Sequence, residues 1–410
     1  MLTVPAACQT RTPAPTDAGP SEPSPAASLL PAPLASGLEL GLHDGGAHDA
    51  EPDAAPPAPE WAREDRGLPS DAHELLDPSL LALASRFRWA DVALPPRLPE
   101  ADAEALERAR ERATFDLAIE LGVAGRMRVV FASPHFVVPE GTELRARTDF
   151  LGHALVWPGQ ARYAIIQAGA LRAVLNERRA DVQPLTLAKP ATIGAGKLLG
   201  FATEKSRFTT PFGKLDLEQA RVPGSGGGGA LLCRMLVEVA GLDPEAVACA
   251  SDLVPVRAEY TWLSGGRFLF ETSSIARGSA AGTDVLRVPP IGAEHRVGEL
   301  PEPASPHLVE RGELRAFRKK PLPPPEPRDA AAPKEGLLAV NGGDFLSYLI
   351  VDAVPVVRLR PRGGEVLIDL VPGTYSVAAR DFLGDEVHPP AVVTVPARVV
   401  VNEGPKPEEQ

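Results

Sequence analysis

The chain is short of aromatic rings, of cysteine and of basic charge in any one place. Its 4 Trp, 4 Tyr and 13 Phe are a thin supply for stacking against nucleic-acid bases. The formal charge is −12, and no basic face is concentrated anywhere, so the electrostatic footprint of a phosphate-backbone binder is missing. No run of 18 apolar residues exists, which excludes a membrane-spanning helix. Only 3 Cys are present and none lies in a C-x-x-C pair, which argues against a zinc ribbon or a dithiol redox motif. The eight His (His43, His48, His73, His135, His153, His295, His307 and His388) include no H-E-x-x-H and no close ligand pair. His43 and His48, with Asp44 and Asp49, read as part of a solvated acidic stretch. No Ser stands in G-x-S-x-G, since Pro223 precedes Ser225 by two. Gly194-Ala195-Gly196-Lys197 lacks the first Gly and the Ser/Thr of a phosphate loop, with Ala191 and Leu198 in those places, and reads as a β-turn.

What the chain has in excess is Pro (45) and Gly (37), a fifth of all residues against an average of about 12%. Such breakers point to ordered blocks joined by tethers. Residues 9–70 hold 12 Pro, and residues 1–70 carry ten acidic groups against three Arg, which is −7 of the −12. That segment buries too little apolar area to offset its chain entropy, so a disordered Pro/Ala-rich tether is expected over 9–70. A second Pro-rich linker is expected over 299–335, with the run Pro321-Leu322-Pro323-Pro324-Pro325-Glu326-Pro327.

Between the tethers, residues 71–298 read as an α+β domain. Asp71 looks like a helix cap, and a helix is expected over about 100–121 from Leu106, Ala109, Ala113, Leu117 and Leu121. Short strands follow at 128–131, 136–138, 143–147, 154–157 and 163–166, then a helix at 169–179 and β-like sequence over 192–222. Gly224 to Gly229 read as a flexible loop, Leu231–Ala240 as a helix, and Asp243-Pro244-Glu245 as the start of another. Val256–Glu271 is the clearest hairpin, turning at Gly265-Gly266. Residues 336–402 carry closely spaced strands and read as a small all-β sandwich, with a disordered tail at 403–410.

Two resemblances add to this reading. Pro5-Ala6-Ala7-Cys8 resembles the lipobox of bacterial lipoproteins, which implies that residues 1–8 are a signal remnant and that Cys8 is lipidated. Pro5 departs from the Leu or Val usual there, and most of the apolar stretch of a secretory signal is missing. With Cys8 lipidated, Cys233 and Cys249 remain as an even pair, which suits one disulfide in an oxidising compartment; two reduced thiols are the alternative. That disulfide would staple two adjacent helices. Arg outnumbers Lys 34 to 8, which reads as the signature of a GC-rich bacterial genome. Leu370-Val371-Pro372-Gly373-Thr374-Tyr375-Ser376-Val377 resembles the "L-x-P-G-x-Y-x-V" turn of PEGA and related transthyretin-like modules, and Ala353 stands after Asp352 where they place Gly. Those modules look like glycan- or partner-facing accessory domains with no catalytic residues.

The expected protein is therefore multidomain, with an α+β central domain and a small all-β sandwich on disordered Pro-rich linkers. It is read as a non-enzymatic cell-envelope lipoprotein, in the periplasm or on the outer membrane. Its partners would be the membrane, through the N-terminal lipid anchor, and a protein or glycan; no nucleic acid and no cofactor are expected. An enzyme with its site in 71–298 and a cytosolic scaffold are the alternatives.

Overall fold

In the computed structural model, residues 79–402 are described except 90–97, 99, 123, 151, 160, 168, 246, 248, 251, 280–285, 319 and 321–330. The expected tether at 9–70, the cap at Asp71, the Pro321–Pro327 run and the tail lie outside the described residues.

The dominant element is a twelve-stranded sheet. One antiparallel meander comprises β1 (Ser79–Trp89), β2 (Phe115–Gly122), β3 (Arg126–Phe131), β4 (Glu143–Arg147), β5 (His153–Val156) and β6 (Arg162–Ile166). A second comprises β7 (Pro190–Leu198), β8 (Phe201–Thr210), β9 (Gly213–Arg221), β10 (Leu253–Trp262) and β11 (Arg267–Ser279). The long β1–β11 pairing, from Ser79↔Ser279 to Trp89↔Phe268, fuses them into one sheet. A two-residue strand, β12 (Glu294–His295), runs parallel to β6 at the far edge.

Period-2 alternation explains why one face is dry. Phe115, Leu117, Ile119 and Leu121 of β2, and Met127, Val129 and Phe131 of β3, are all buried. This alternation corrects the helix expected over 100–121. Helix α1 spans only Ala103–Arg112, capped by Asp102, whose Oδ1 accepts from Glu104 N and Ala105 N at 3.1 Å each. Leu117 and Leu121 satisfy a spacing of four and a spacing of two alike, and the tertiary sheet decides. The central region is accordingly richer in strand than the expected α+β mixture. Residues 136–138 are buried but lie in a loop, and Gly194–Lys197 lies in β7 at a bulge rather than in a turn. Helix α2 spans Ala170–Glu177 as expected.

Helix α3 (Gly226–Val239) lies across β10, β2, β3 and β4 and is buried almost all round, with Leu232, Cys233, Met235, Leu236 and Val237 in the core. It begins inside the glycine run that had read as a loop. The glycines are there for close approach: a Cβ on Gly227 would sit 2.7 Å from Gly125 Cα, on Gly228 2.6 Å from Arg126 O, and on Gly229 2.4 Å from Leu253 O. Helix propensity favours Ala over Gly by about 1 kcal/mol, so the sign of a substitution is diagnostic. Gly228→Ala is expected to destabilise the fold by a net ~1–3 kcal/mol, read from the urea midpoint, because backbone and not a movable side chain blocks the methyl.

Residues 337–401 form two small sheets. One has the order β16-β13-β19, from β13 (Leu337–Asn341), β16 (Gly364–Ile368) and β19 (Ala397–Val401). The other has the order β15-β14-β17-β18, from β14 (Ser347–Val351), β15 (Val354–Leu359), β17 (Gly373–Arg380) and β18 (Glu386–Val395). Leu337, Val351, Val356, Ile368, Tyr375 and Val377 share one core.

The linker expected from residue 299 is corrected over 299–318. That stretch carries α4 (Arg311–Ala316) and buries Val309, Leu314 and Phe317 in the core of the small sheets and Leu308 in that of the large one. Leu308 N donates to Val356 O at 2.9 Å, and Arg358 N donates to Pro306 O at 2.9 Å, so the chain lies beside β15. Arg318 is sealed in with it. Its Nη1 stands 2.7 Å from Asp352 Oδ2, its guanidinium lies 3.9 Å over the Tyr375 ring, and its Nε donates to Thr374 O at 3.0 Å. Prolines here shape a packed strap and not a free tether.

The small sheets also dock directly on the large one. Trp89 Nε1 donates to Phe382 O and Trp262 Nε1 to Leu383 O, each at 3.0 Å, and Tyr348 Oη donates to His135 O at 2.8 Å. Phe115, Phe136, Phe268, Tyr348 and Phe382 form an edge-to-face aromatic cluster across this seam.

Within the seam, Asp381 is buried, and its Oδ1 accepts from Asp385 N at 2.8 Å. Burial, with the nearby charges of Asp385 and Asp181, raises its carboxyl well above the usual carboxylate range. A carboxyl with a raised folded-state pKa binds its proton more tightly when folded, so stability falls as pH rises from about 3.8 through the folded-state value. Asp381→Asn keeps the acceptor and removes the charge. It is expected to raise stability at pH 8 by roughly 1–3 kcal/mol, with the gain shrinking towards pH 4, measured as melting curves across pH.

Candidate functional site

Of the residues singled out in the sequence, Cys8 lies outside the described residues. Cys233 and Cys249 are joined, with Cα atoms 5.7 Å apart. The cross-link ties α3 to the irregular segment after it, not to a second helix. Asp243 Oδ1 accepts from Glu245 N at 2.9 Å and closes a local turn that no described helix continues. His43, His48 and His73 are outside the described residues, and the other five His are scattered. Among the described residues no group of three or more His, Cys, Asp or Glu is placed to hold a metal ion.

One pairing resembles a nucleophile and its base. Ser133 Oγ lies 3.0 Å from His135 Nδ1. Proton bookkeeping decides against that role. Ser133 Oγ donates its single proton to Thr114 O, so it accepts from an Nδ1–H of His135 and cannot be deprotonated by that nitrogen. Both side chains are buried, and desolvation, reinforced by the Arg358 charge, pushes the His135 imidazole down to about 4. This pair fixes the loop that supports the seam.

One cleft, about 1320 Å³, lies between α1, α4 and the 132–135 loop. Many of its charges already have partners: Asp116 pairs with Arg86 at 3.3 Å, Glu313 with Arg112, and Asp369 with Arg311 and with Arg315 at 2.9 Å. Glu111, Glu310 and Glu335 also line it and leave the cleft acidic.

A second cleft, about 760 Å³, is different in kind. Its floor is Glu238 near the end of α3, facing α2. Glu238 is only 8% exposed, yet its Oε2 is buried without a hydrogen-bond partner among the described residues. Burial lifts its carboxyl to about 7, against the opposing pull of Arg172 and Arg234 and with a smaller push from Asp243. Arg172 does not neutralise it: that guanidinium donates through Nη1 to the Glu238 backbone carbonyl at 3.1 Å. Room beside the carboxylate is left by Gly169, the residue before α2, where φ is +110° and a Cβ would come 3.1 Å from Glu238 Oε2. Glu177, Asp243, Glu245 and Glu299 line the rim, and Ile165, Leu185 and Leu300 provide apolar wall. Nothing in the sequence marks Glu238, which reads as one more helix carboxylate; only its placement among other residues makes it distinctive.

No family model matches this chain, and no curated protein matches it. Among solved structures it is similar to PNGF-II at 7% identity and a TM-score of 0.28, covering 67% of this chain and 46% of that one, less than half its length. It is similar to MucB in complex with MucA(peri) at 10% identity and a TM-score of 0.26, covering 78% of this chain and 76% of that one. It is also similar to the LolA superfamily protein NE2245 from Nitrosomonas europaea, at 10% identity and a TM-score of 0.18, covering 51% and 91%. Likeness at this level assigns the chain to none of them.

Proposed function

We propose that the chain is an exported, non-enzymatic module of the bacterial cell envelope, anchored through lipid on Cys8 and serving to bind a protein or glycan partner. The observation that carries this reading is the Cys233–Cys249 cross-link, since structural disulfides persist in oxidising compartments and are rare in the cytosol. The net charge of −12 argues against nucleic acid as the partner. The Ser133–His135 proton assignment argues against that pair, seen among the described residues, as a hydrolytic nucleophile and base. The resemblance of the Pro372-Gly373-Thr374-Tyr375 turn to transthyretin-like accessory modules fits a partner-facing role for the small sheets.

The test is to isolate the protein from cells grown with labelled palmitate and map its peptides without reduction. The expected result is a Cys233–Cys249 linked peptide in the envelope fraction, with label that Cys8→Ser abolishes. Free thiols at both positions in a cytosolic, unlabelled protein would overturn the reading in favour of a cytosolic scaffold.

A further inference from the structure

We infer that the cleft lined by Glu238 is a binding site for an alkylammonium group, its nitrogen paired with the Glu238 carboxylate and its carbon chain laid against Ile165, Leu185 and Leu300. A buried acceptor with no donor carries an unmet desolvation cost, and an ammonium N–H is the donor that would satisfy it. A side chain at Gly169 would crowd Glu238 Oε2, since a Cβ there would come 3.1 Å from it. The rim carboxylates Glu177, Asp243, Glu245 and Glu299 repel anions and draw cations in, and among the described residues Arg172 is the only cationic side chain lining the cleft. One unpartnered oxygen suits a compact point charge; a guanidinium prefers a two-oxygen fork. A metal ion is disfavoured, because no set of three ligands converges there among the described residues. The half-exposed Leu185 gives the methylene chain an apolar surface. Such a site serves a free diamine or a lysine side chain equally, and it is indifferent to whether the chain is exported.

The site makes binding pH-dependent with a fixed sign. The groups facing Glu238 are Arg172 on α2, Arg234 on α3 and Asp243 beyond it, with Glu177, Glu245 and Glu299 further out. An alkylammonium stays charged up to about pH 10, so Glu238 is the group that titrates between pH 6 and 8. The ammonium binds the carboxylate form, and because that carboxyl titrates at about 7, complex formation at pH 6 releases a proton.

Titration calorimetry of the full chain with cadaverine, and separately with an N-acetylated lysyl peptide, tests this at pH 6, 7 and 8. Affinity should be roughly tenfold higher at pH 8 than at pH 6, with proton release at pH 6 seen as a dependence on buffer ionisation enthalpy. Glu238→Gln, isosteric and neutral, should lose both the affinity and the pH slope while melting no lower than the parent at pH 8. Glu299→Gln on the rim should weaken binding about two- to threefold and keep the slope, as expected for a partly screened charge. Cadaverine binding alone would assign a free amine, and peptide binding alone a lysine side chain. No binding of either probe at about 10 mM and pH 8, or binding that Glu238→Gln leaves unchanged, would overturn the inference.

Discussion

Replacing Arg318 with Met is expected to destabilise the protein by about 3–5 kcal/mol, among the largest single-residue effects the fold allows. The side chain is fully buried, and its ion pair with Asp352 at 2.7 Å is sealed from water. Asp352 Oδ1 is already engaged, accepting from Ser376 N at 2.9 Å, so its other oxygen would face apolar surroundings as an uncompensated charge. Thr374 O would lose the Nε donor, and Tyr375 the cation above its ring. Urea unfolding at neutral pH measures the loss. Asp352→Asn added to Arg318→Met should recover part of it, because the remaining partner is then neutral. A loss under about 1 kcal/mol would mean that the pair is hydrated and the strap loosely held.

Removing the cross-link by Cys233→Ala with Cys249→Ala is expected to cost roughly 3 kcal/mol, the loop-closure contribution for a loop of this size. A cavity adds to that cost, because Cys233 is fully buried in α3. Reductant supplies the internal control. Dithiothreitol should lower the urea midpoint of the parent towards that of the double variant and leave the variant itself unmoved. If reductant shifts both equally, the stability resides elsewhere than in the sulfur–sulfur bond.

Strands β3 to β6 and the β10–β11 hairpin were legible because burial on one face writes a period of two directly into the chain, whereas β1 was not marked. The Cys pair was legible from count and spacing. Three features were not. Gly226–Gly229 read as a loop, since a glycine chosen for close packing is spelled the same as one chosen for freedom, and Leu253 O, its reason, lies elsewhere in the chain. Leu117 and Leu121 fitted helix and strand equally, and the pairing of β2 with β1 and β3 arbitrates. Arg318 and the prolines before it carried the composition of a linker, while their role depends on Asp352, Thr374 and Tyr375 further along the chain. The candidate site was illegible for the same reason, since Glu238, Gly169 and Leu185 meet only in three dimensions.

The seam between the large and small sheets has an optical consequence. Two of the four tryptophans in the chain, Trp89 and Trp262, clasp successive carbonyls of one loop, Phe382 and Leu383. Parting the sheets would hydrate both indoles together, so native emission is a built-in gauge of whether these bodies move as one.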